Sequence, residues 1–417
     1  MQFPGEAELA PRATSSSSLA TYSRFNIARQ DENCPLSNES MAIAKQNSLS
    51  SGKKAGCEYP MMERLLPSYT SDGWGEQTVA VWRQSLYSGQ VAQALCVQAQ
   101  AEHLRRGRDT AAQTGGSLFW QLNSEWPGAS KSSLEYSGQW KVLHHFASHF
   151  YAPLAVSAFL TESYTLANAY VAWDGWSGQV ELEWSVDIWR WSGAAVRRGW
   201  CPVASCALKL PMASGSPLFS ESVASLLKRA ASGTGGAPCT AASCFAVVKA
   251  QGKDARGSVH ESQAMLALGA GGIRDVPLDQ AAKVHVQVHG NRSVTLTADA
   301  VIPHAWLHLK SEDGGQVGTA AGRWSDNALL LLPGEPQTVN LVPLGVASPE
   351  PTVSVDELQR RLEVACPNRL GGCDARPASS LPTKTDDDES SMASASESSG
   401  LAAVVLQVLI SVVVWGP

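Results

Sequence analysis

Hydrophobic and polar positions divide the chain into two kinds of pattern. Between residues 76 and 108, Val91, Ala94, Leu95 and Ala99 recur at three- and four-residue spacings, which predicts an amphipathic helix. Glu102 and Arg106 add an i,i+4 ion pair, and Gly107 supplies a C-terminal stop. Gly115-Gly116 marks a turn. The run Ser117-Leu118-Phe119-Trp120-Gln121-Leu122 then predicts a short buried strand, followed by a polar, aromatic loop, Asn123-Ser124-Glu125-Trp126-Pro127-Gly128. A second helix is predicted from near Gly138, with Trp140, Leu143, Ala147 and Phe150 on one face.

Beyond residue 152 the period changes to two. Across Gln179 to Trp191, the residues Val180, Leu182, Trp184, Val186 and Ile188 fall on one face of a strand. Residues 283–290 and 293–299 flank His289-Gly290-Asn291-Arg292 as a hairpin, and Ala305 to Leu309 reads as a further strand. Strands joined by Gly, Pro and Ser turns point to β-sandwiches. The Ser/Gly/Ala-rich stretch 213–240 reads as a loop or insertion, and 250–275 carries too weak a pattern for an assignment.

The two ends differ from the middle. Residues 1–56 are rich in Ser, Ala, Asn and Gln with little apolar periodicity, which predicts disorder, and Met1 to Arg12 lacks the basic start and apolar run of a secretory signal. Residues 347–400 read as a disordered acidic linker and 401–417 as an apolar tail. Leu401 to Trp415 is shorter than the roughly 20 residues of a spanning helix, although small residues ahead of it resemble a GPI-attachment signal. Membrane association is expected only if that tail is an anchor signal.

Composition narrows the function classes. The 417 residues are 44% hydrophobic, enough for two or three packed domains. With 32 basic against 38 acidic residues and a net charge of −6, a general nucleic-acid binder is excluded, because that needs a large cationic face. Tryptophan is in excess, 14 against 8 Phe and 8 Tyr, as in sheet cores and carbohydrate sites. Trp120 and Trp126 are candidate sugar platforms, since an indole packs against the C–H face of a pyranose, and Asn123 is a directional partner for a rim hydroxyl. Glu125 in the same loop reads as a solvated charge. The nine cysteines include Cys201/Cys206, Cys239/Cys244 and Cys366/Cys373, which would form disulfides in an oxidising compartment and free thiols elsewhere. No CxxC metal pattern is present. His145 and His149 have helix-face spacing but no Glu or Cys at metal spacing, so a helix-surface histidine pair is expected rather than a zinc site. Asn38-Glu39-Ser40 and Asn291-Arg292-Ser293 match the glycosylation sequon, a tripeptide that also arises often by chance. Gly269-Ala270-Gly271-Gly272 lacks the strand-before, helix-after setting of a phosphate loop.

One series of motifs carries a family resemblance. It runs through Leu118-Phe119-Trp120-Gln121-Leu122-Asn123, Trp126-Pro127-Gly128-Ala129-Ser130, Ser132-Ser133-Leu134-Glu135-Tyr136, Gln139-Trp140-Lys141, His144-His145-Phe146-Ala147 and Phe150-Tyr151-Ala152-Pro153. This series resembles the last barrel strand and exit helix of the β-mannosidase branch of the glycoside hydrolases. The helix bearing Ala94-Leu95-Cys96, Glu102 and Arg105-Arg106-Gly107-Arg108 looks like the one before that strand. Downstream, Gly322-Arg323-Trp324-Ser325-Asp326-Asn327 and Leu331-Leu332-Pro333-Gly334-Glu335-Pro336 are similar to the closing strands of the family's C-terminal immunoglobulin-like domain. Lys131 departs from the pattern, where the family usually has Trp.

The resemblance implies an α/β plus all-β chain: an incomplete C-terminal part of a (β/α)₈ barrel at 57–152, a β-sandwich at 153–250 and a C-terminal immunoglobulin-like sandwich at 251–346. It also implies a retaining glycosidase removing terminal β-D-mannose from oligosaccharides, with two carboxyls about 5–5.5 Å apart as nucleophile and acid/base. A full barrel takes roughly 200–250 residues, so the strand carrying the acid/base glutamate is expected to be missing, and no Asn-Glu pair in a strand-end setting replaces it. Cys57-Glu58-Tyr59-Pro60 resembles the family's Ser-Glu-Tyr-Gly nucleophile motif at two of four positions, which makes Glu58 the candidate nucleophile beside the plainer reading of a solvated glutamate. No metal or organic cofactor is implied. A lysosomal, vacuolar or secreted location is expected from the resemblance. The alternative is a non-catalytic carbohydrate-binding or structural fragment of such an enzyme.

Overall fold

The computed structural model describes residues 79–373 except 126–130, 137, 162, 233–238, 271, 310–321, 343–352 and 370–371. The chain divides into two units, Met1–Ala375 and Arg376–Pro417, and every described residue belongs to the first. The expectations for the N-terminal stretch, the apolar tail, Asn38, Glu58 and Trp126 therefore fall outside the described residues.

Helix α1 spans Val79–Arg106. Val91 and Ala94 are fully buried and Leu95 half-buried, as the spacing predicts, but Ala99 is exposed and Ala101 is buried in its place. Ala101 lies seven residues, nearly two full turns, beyond Ala94, whereas Ala99 has rotated off that face. The Glu102–Arg106 pair closes at 3.8 Å. Gly107 ends the helix by donating its N–H to the His103 and Leu104 carbonyls, both at 3.1 Å. Helix α2 spans Val142–Phe150 and buries Leu143, Ala147 and Phe150. It starts later than Gly138 because Gly138 adopts φ +83° in a turn bonded to the Glu135 carbonyl.

The expected buried strand at 117–122 is corrected. The segment joins no ladder among the described residues, and Leu118 and Trp120 are 96% and 74% exposed. Its two-residue period is real, but among the described residues no neighbouring strand covers it.

The first sandwich is built from two sheets. One has the order β1 (Leu154–Leu160), β2 (Leu166–Trp173), β6 (Ser214–Ser222). The other runs β4 (Ala195–Trp200), β3 (Val180–Arg190), β7 (Cys244–Asp254), β8 (Val259–Ala267), with β5 (Ala207–Leu210) pairing the start of β3. Alternation on β3 buries Val180, Leu182, Trp184, Val186 and Ile188 against Val171, Trp173 and Leu226. Each such fully buried aliphatic side chain is worth roughly 1.5–3 kcal/mol.

The stretch 213–240 is not a plain loop. It holds β6 and helix α3 (Val223–Ala231), whose Val223, Leu226, Leu227 and Ala230 are buried and whose Ser222 cap accepts the Ser225 N–H at 3.2 Å. Those four apolar positions have helical spacing that the surrounding Ser/Gly/Ala composition hides. A division at 250 falls inside β7, which pairs β3 along its whole length, from Arg190↔Cys244 to Val180↔Asp254. The sheets change instead after Ala267.

The second sandwich packs β12 (Arg323–Trp324), β14 (Gln337–Val342), β10 (Ser293–Ala298) and β9 (Val284–His289) over β13 (Leu329–Leu331), β11 (Ile302–Leu309) and β15 (Leu362–Ala365). The linker expected at 347–400 is corrected in its first part. Helix α4 (Val355–Arg361) and β15 fold onto this sandwich, where Val353, Leu358, Leu362 and Val364 enter the core. All three cysteine pairs are bridged, with Cα–Cα distances of 5.7 Å for Cys201–Cys206, 6.1 Å for Cys239–Cys244 and 5.8 Å for Cys366–Cys373.

A third apolar layer joins these parts. Tyr87, Val91, Leu143 and Phe150 of the helices meet Trp189, Phe245 and Val247 on the outer face of β3 and β7, together with Val301 and Leu332 of the second sandwich. Polar ties fix the registry: Tyr87 donates to the His304 carbonyl at 2.7 Å and Gln84 to the Cys366 carbonyl at 3.2 Å.

Candidate functional site

The strand-end segment 120–125 is held by the residues that follow it. The Leu122 carbonyl accepts the backbone N–H of Ser133 (3.0 Å), that of Leu134 (2.8 Å) and the Ser133 hydroxyl (2.9 Å). The Ser124 N–H returns to the Leu134 carbonyl at 3.0 Å, and Asn123 bridges Leu134 in parallel. The Ser133 hydroxyl also lies 2.9 Å from Nδ1 of His144; with its proton on the Leu122 carbonyl, the serine oxygen is the acceptor of an Nδ1–H. The pair clamps the Leu122 carbonyl to the segment that follows it.

Beneath the clamp lies a closed polar layer. Lys141 is almost wholly buried and donates to the Ser132 hydroxyl at 3.2 Å, which is 2.7 Å from the Ser124 hydroxyl. Trp140 stands edge-on to His144, and the Arg323 guanidinium lies 4.3 Å above the Trp140 ring. Burial, with a smaller push from Arg323, lowers the His144 pKa to about 4, so this imidazole is neutral at physiological pH.

The clamp leaves two candidates facing solvent. Trp120 presents an open indole. Asn123 is exposed, donates from Nδ2 to the Ser124 carbonyl at 3.2 Å and accepts Gln121 on its backbone oxygen at 2.8 Å. Its Oδ1 takes no bond in either, so it is open to a hydroxyl donor. Glu125 is exposed beside them, as a solvated charge would be. Trp120 and Asn123 thus share one exposed segment, while Trp126 and Glu58 lie outside the described residues. Sequence reasoning missed the Ser133–His144 clamp. Its only signal was a serine and a histidine eleven positions apart, a spacing with no helix or strand period behind it.

The histidines of α2 do not converge on a common site. His149 meets Asp326 at 2.8 Å, and His145 is buried against Trp140 and Trp306. Among the described residues no group of three or more His, Cys, Asp or Glu is placed to hold a metal ion. No helix among them is long and apolar enough to cross a membrane.

The family model Ig_mannosidase, an Ig-fold domain, matches residues 278–368, which is the second sandwich together with α4 and β15. Upstream of it, similarity extends to "Beta-mannosidase" of Bos taurus, 31% identical over 257 residues, and of Mus musculus, 28% identical over 264 residues. The chain resembles the C-terminal part of the β-mannosidases. The matched regions cover 60% and 62% of this chain, and 26% and 27% of those β-mannosidases, so the chain spans about a quarter of their length. In fold, a solved β-D-mannosidase from Dictyoglomus thermophilum superposes with a TM-score of 0.54 at 17% identity, over 88% of this chain and 37% of that one.

Proposed function

We propose that this chain is the C-terminal part of a β-mannosidase-type glycoside hydrolase, acting on oligosaccharides with terminal β-D-mannose. In this reading residues 57–152 supply the end of a (β/α)₈ barrel and the sandwiches buttress it. The observation that carries it is the run of similarity to curated β-mannosidases across three-fifths of the chain, which reaches beyond the Ig-fold domain. Trp120 and Trp126 would stack on the C–H face of the terminal sugar, and Asn123 Oδ1 would accept one of its hydroxyls. Glu58 is the proposed nucleophile of a retaining double displacement, which also needs an acid/base carboxyl about 5–5.5 Å away. The chemistry needs no metal or organic cofactor. The three disulfides support a lysosomal, vacuolar or secreted location.

The test is hydrolysis of an aryl β-D-mannoside by the protein isolated from its own cells. Turnover that is lost in Glu58→Gln is expected, and turnover retained in that variant would remove Glu58 from the site. A second reading, a non-catalytic carbohydrate-binding module, is favoured by the exposure of Trp120, because an open platform binds sugar without enclosing it. Mannoside binding without any turnover would select it.

A further inference from the structure

The hairpin between β9 and β10 turns through Gly290, Asn291 and Arg292. Gly290 adopts φ +63°, and a side chain built there would meet nothing within 4 Å, so the tip stands in open space. The base of the turn is firmly held. Ser293 pairs with His289 on one side and Asn340 on the other, and the Arg292 carbonyl accepts the Leu341 N–H at 2.6 Å. The Asn291 side chain takes no part in this. It is half-exposed and has no hydrogen-bond partner among the described residues. Asn291-Arg292-Ser293 is an Asn-X-Ser sequon, and the three bridged cysteine pairs fit the proposed oxidising compartment, where such sequons are used.

The turn closes an edge. Among the described residues β9 is the outer strand of its sheet; the Cys373 carbonyl takes its first N–H, at Val284, and His285, Gln287 and His289 are exposed along the rest. An open edge is a template for pairing with another chain unless charge, a bulge or a cover blunts it. Lys283 guards only the start of this edge, and from Val284 to His289 it carries no Lys and no Pro.

We propose that Asn291 carries an N-linked oligosaccharide and that this glycan screens the open edge of β9. The transfer uses an oligosaccharide held on a lipid pyrophosphate. The bond from sugar C1 to the pyrophosphate oxygen breaks, a bond from C1 to Asn291 Nδ2 forms, one amide proton leaves, and the lipid pyrophosphate departs. No oxidant or reductant is involved. A turn in open space accepts the bulk, and an amide with no partner gives up no hydrogen bond.

The site can be read directly, because Lys283 and Arg292 bound a tryptic peptide, residues 284–292, that contains Asn291 and not Asn38. The protein from its own cells is treated with a peptide-N-glycosidase in heavy-oxygen water and then digested. The expected result is recovery of 284–292 with a heavy-oxygen aspartate at 291, and its loss when the glycosidase is omitted. Recovery of the unmodified asparagine peptide in full without the enzyme would overturn the proposal. For the screening role, Asn291→Gln and Ser293→Ala both remove the sequon by different residues. Both are expected to increase the sedimenting, aggregated fraction of secreted protein, while Arg292→Ala, which keeps the sequon, is not. Equal solubility of all three with the parent would overturn the screening.

Discussion

At the residue scale, the exposed pair Trp120 and Asn123 carries the binding prediction. Trp120→Ala is expected to leave the thermal midpoint unchanged, since the indole is open to solvent, and to weaken β-mannoside binding by about fivefold to tenfold, the worth of an aromatic contact near 1 kcal/mol. Titration calorimetry against mannose-terminated oligosaccharide checks it. Unchanged affinity would remove Trp120 from the site. The histidines of α2 give a second prediction, and their signs oppose. The hydrogen bond to Asp326 raises the His149 pKa, so the stability this pair adds is present below the unfolded pKa, near 6.5, and is lost as pH rises through the folded value. Burial lowers His145 to about 3, so the unfolded chain binds a proton there that the folded chain does not, and stability falls as pH drops below about 6.5. His149→Gln should therefore lose most stability at pH 5–6 and little at pH 8, read as the thermal midpoint against pH. His145→Gln should flatten the acid limb instead. Parallel profiles for the two variants would contradict this assignment.

At the element scale, one charged node locks β3 and β7 to the turn between β13 and β14. Lys249 meets Asp187 at 2.7 Å and Glu335 at 3.5 Å, Arg198 pairs with Glu335, and Asp187 also accepts the Gly199 N–H at 2.6 Å. The Asp187 side chain is almost fully buried, whereas a third of Lys249 is open to water. Lys249→Met strands a buried carboxylate and is expected to cost about 2 kcal/mol, below the 3–5 kcal/mol of a fully enclosed pair. Glu335→Gln leaves the Lys249–Asp187 pair intact and is expected to cost less than about 1 kcal/mol. Urea unfolding of both variants measures the difference, and equal costs would contradict the assignment. Two elements were hidden from the sequence for related reasons. Helix α3 sits in a Ser/Gly/Ala-rich stretch whose composition masks its apolar spacing, and β15 is short and gains its place from pairing with β11.

At the scale of the whole molecule, disulfides pin short segments to the sandwich cores. Cys366–Cys373 closes the chain just after β15, beside the Val284 N–H that bonds the Cys373 carbonyl at 2.7 Å. Replacing both cysteines by serine is expected to cost about 2 kcal/mol, the order given by loop-closure entropy for so short a loop. A lowered thermal midpoint without reductant, equal to that of the reduced parent at this bridge, is the check. Tryptophan usage also resolves at this scale. Of the ten tryptophans whose side chains are described, six (Trp173, Trp184, Trp189, Trp191, Trp200 and Trp324) are buried in the apolar layers and serve packing, while Trp120 and Trp176 are exposed.

The sequence by itself determined what depends on local period and local pairs. It placed α1 and α2, the alternating face of β3, the β9–β10 hairpin and the Glu102–Arg106 pair, and it brought forward the cysteines five and seven positions apart as able to pair. Three- and two-residue periods, and contacts within a few positions, are written directly into the chain. Only the tertiary structure decided that the predicted strand at 117–122 stays uncovered and that β7 belongs wholly to the first sandwich. It also decided that Ser133 and His144 clamp the Leu122 carbonyl, and that His149 finds Asp326 across 177 positions. These depend on which surfaces meet after the chain has folded back on itself, and no local spacing encodes that meeting.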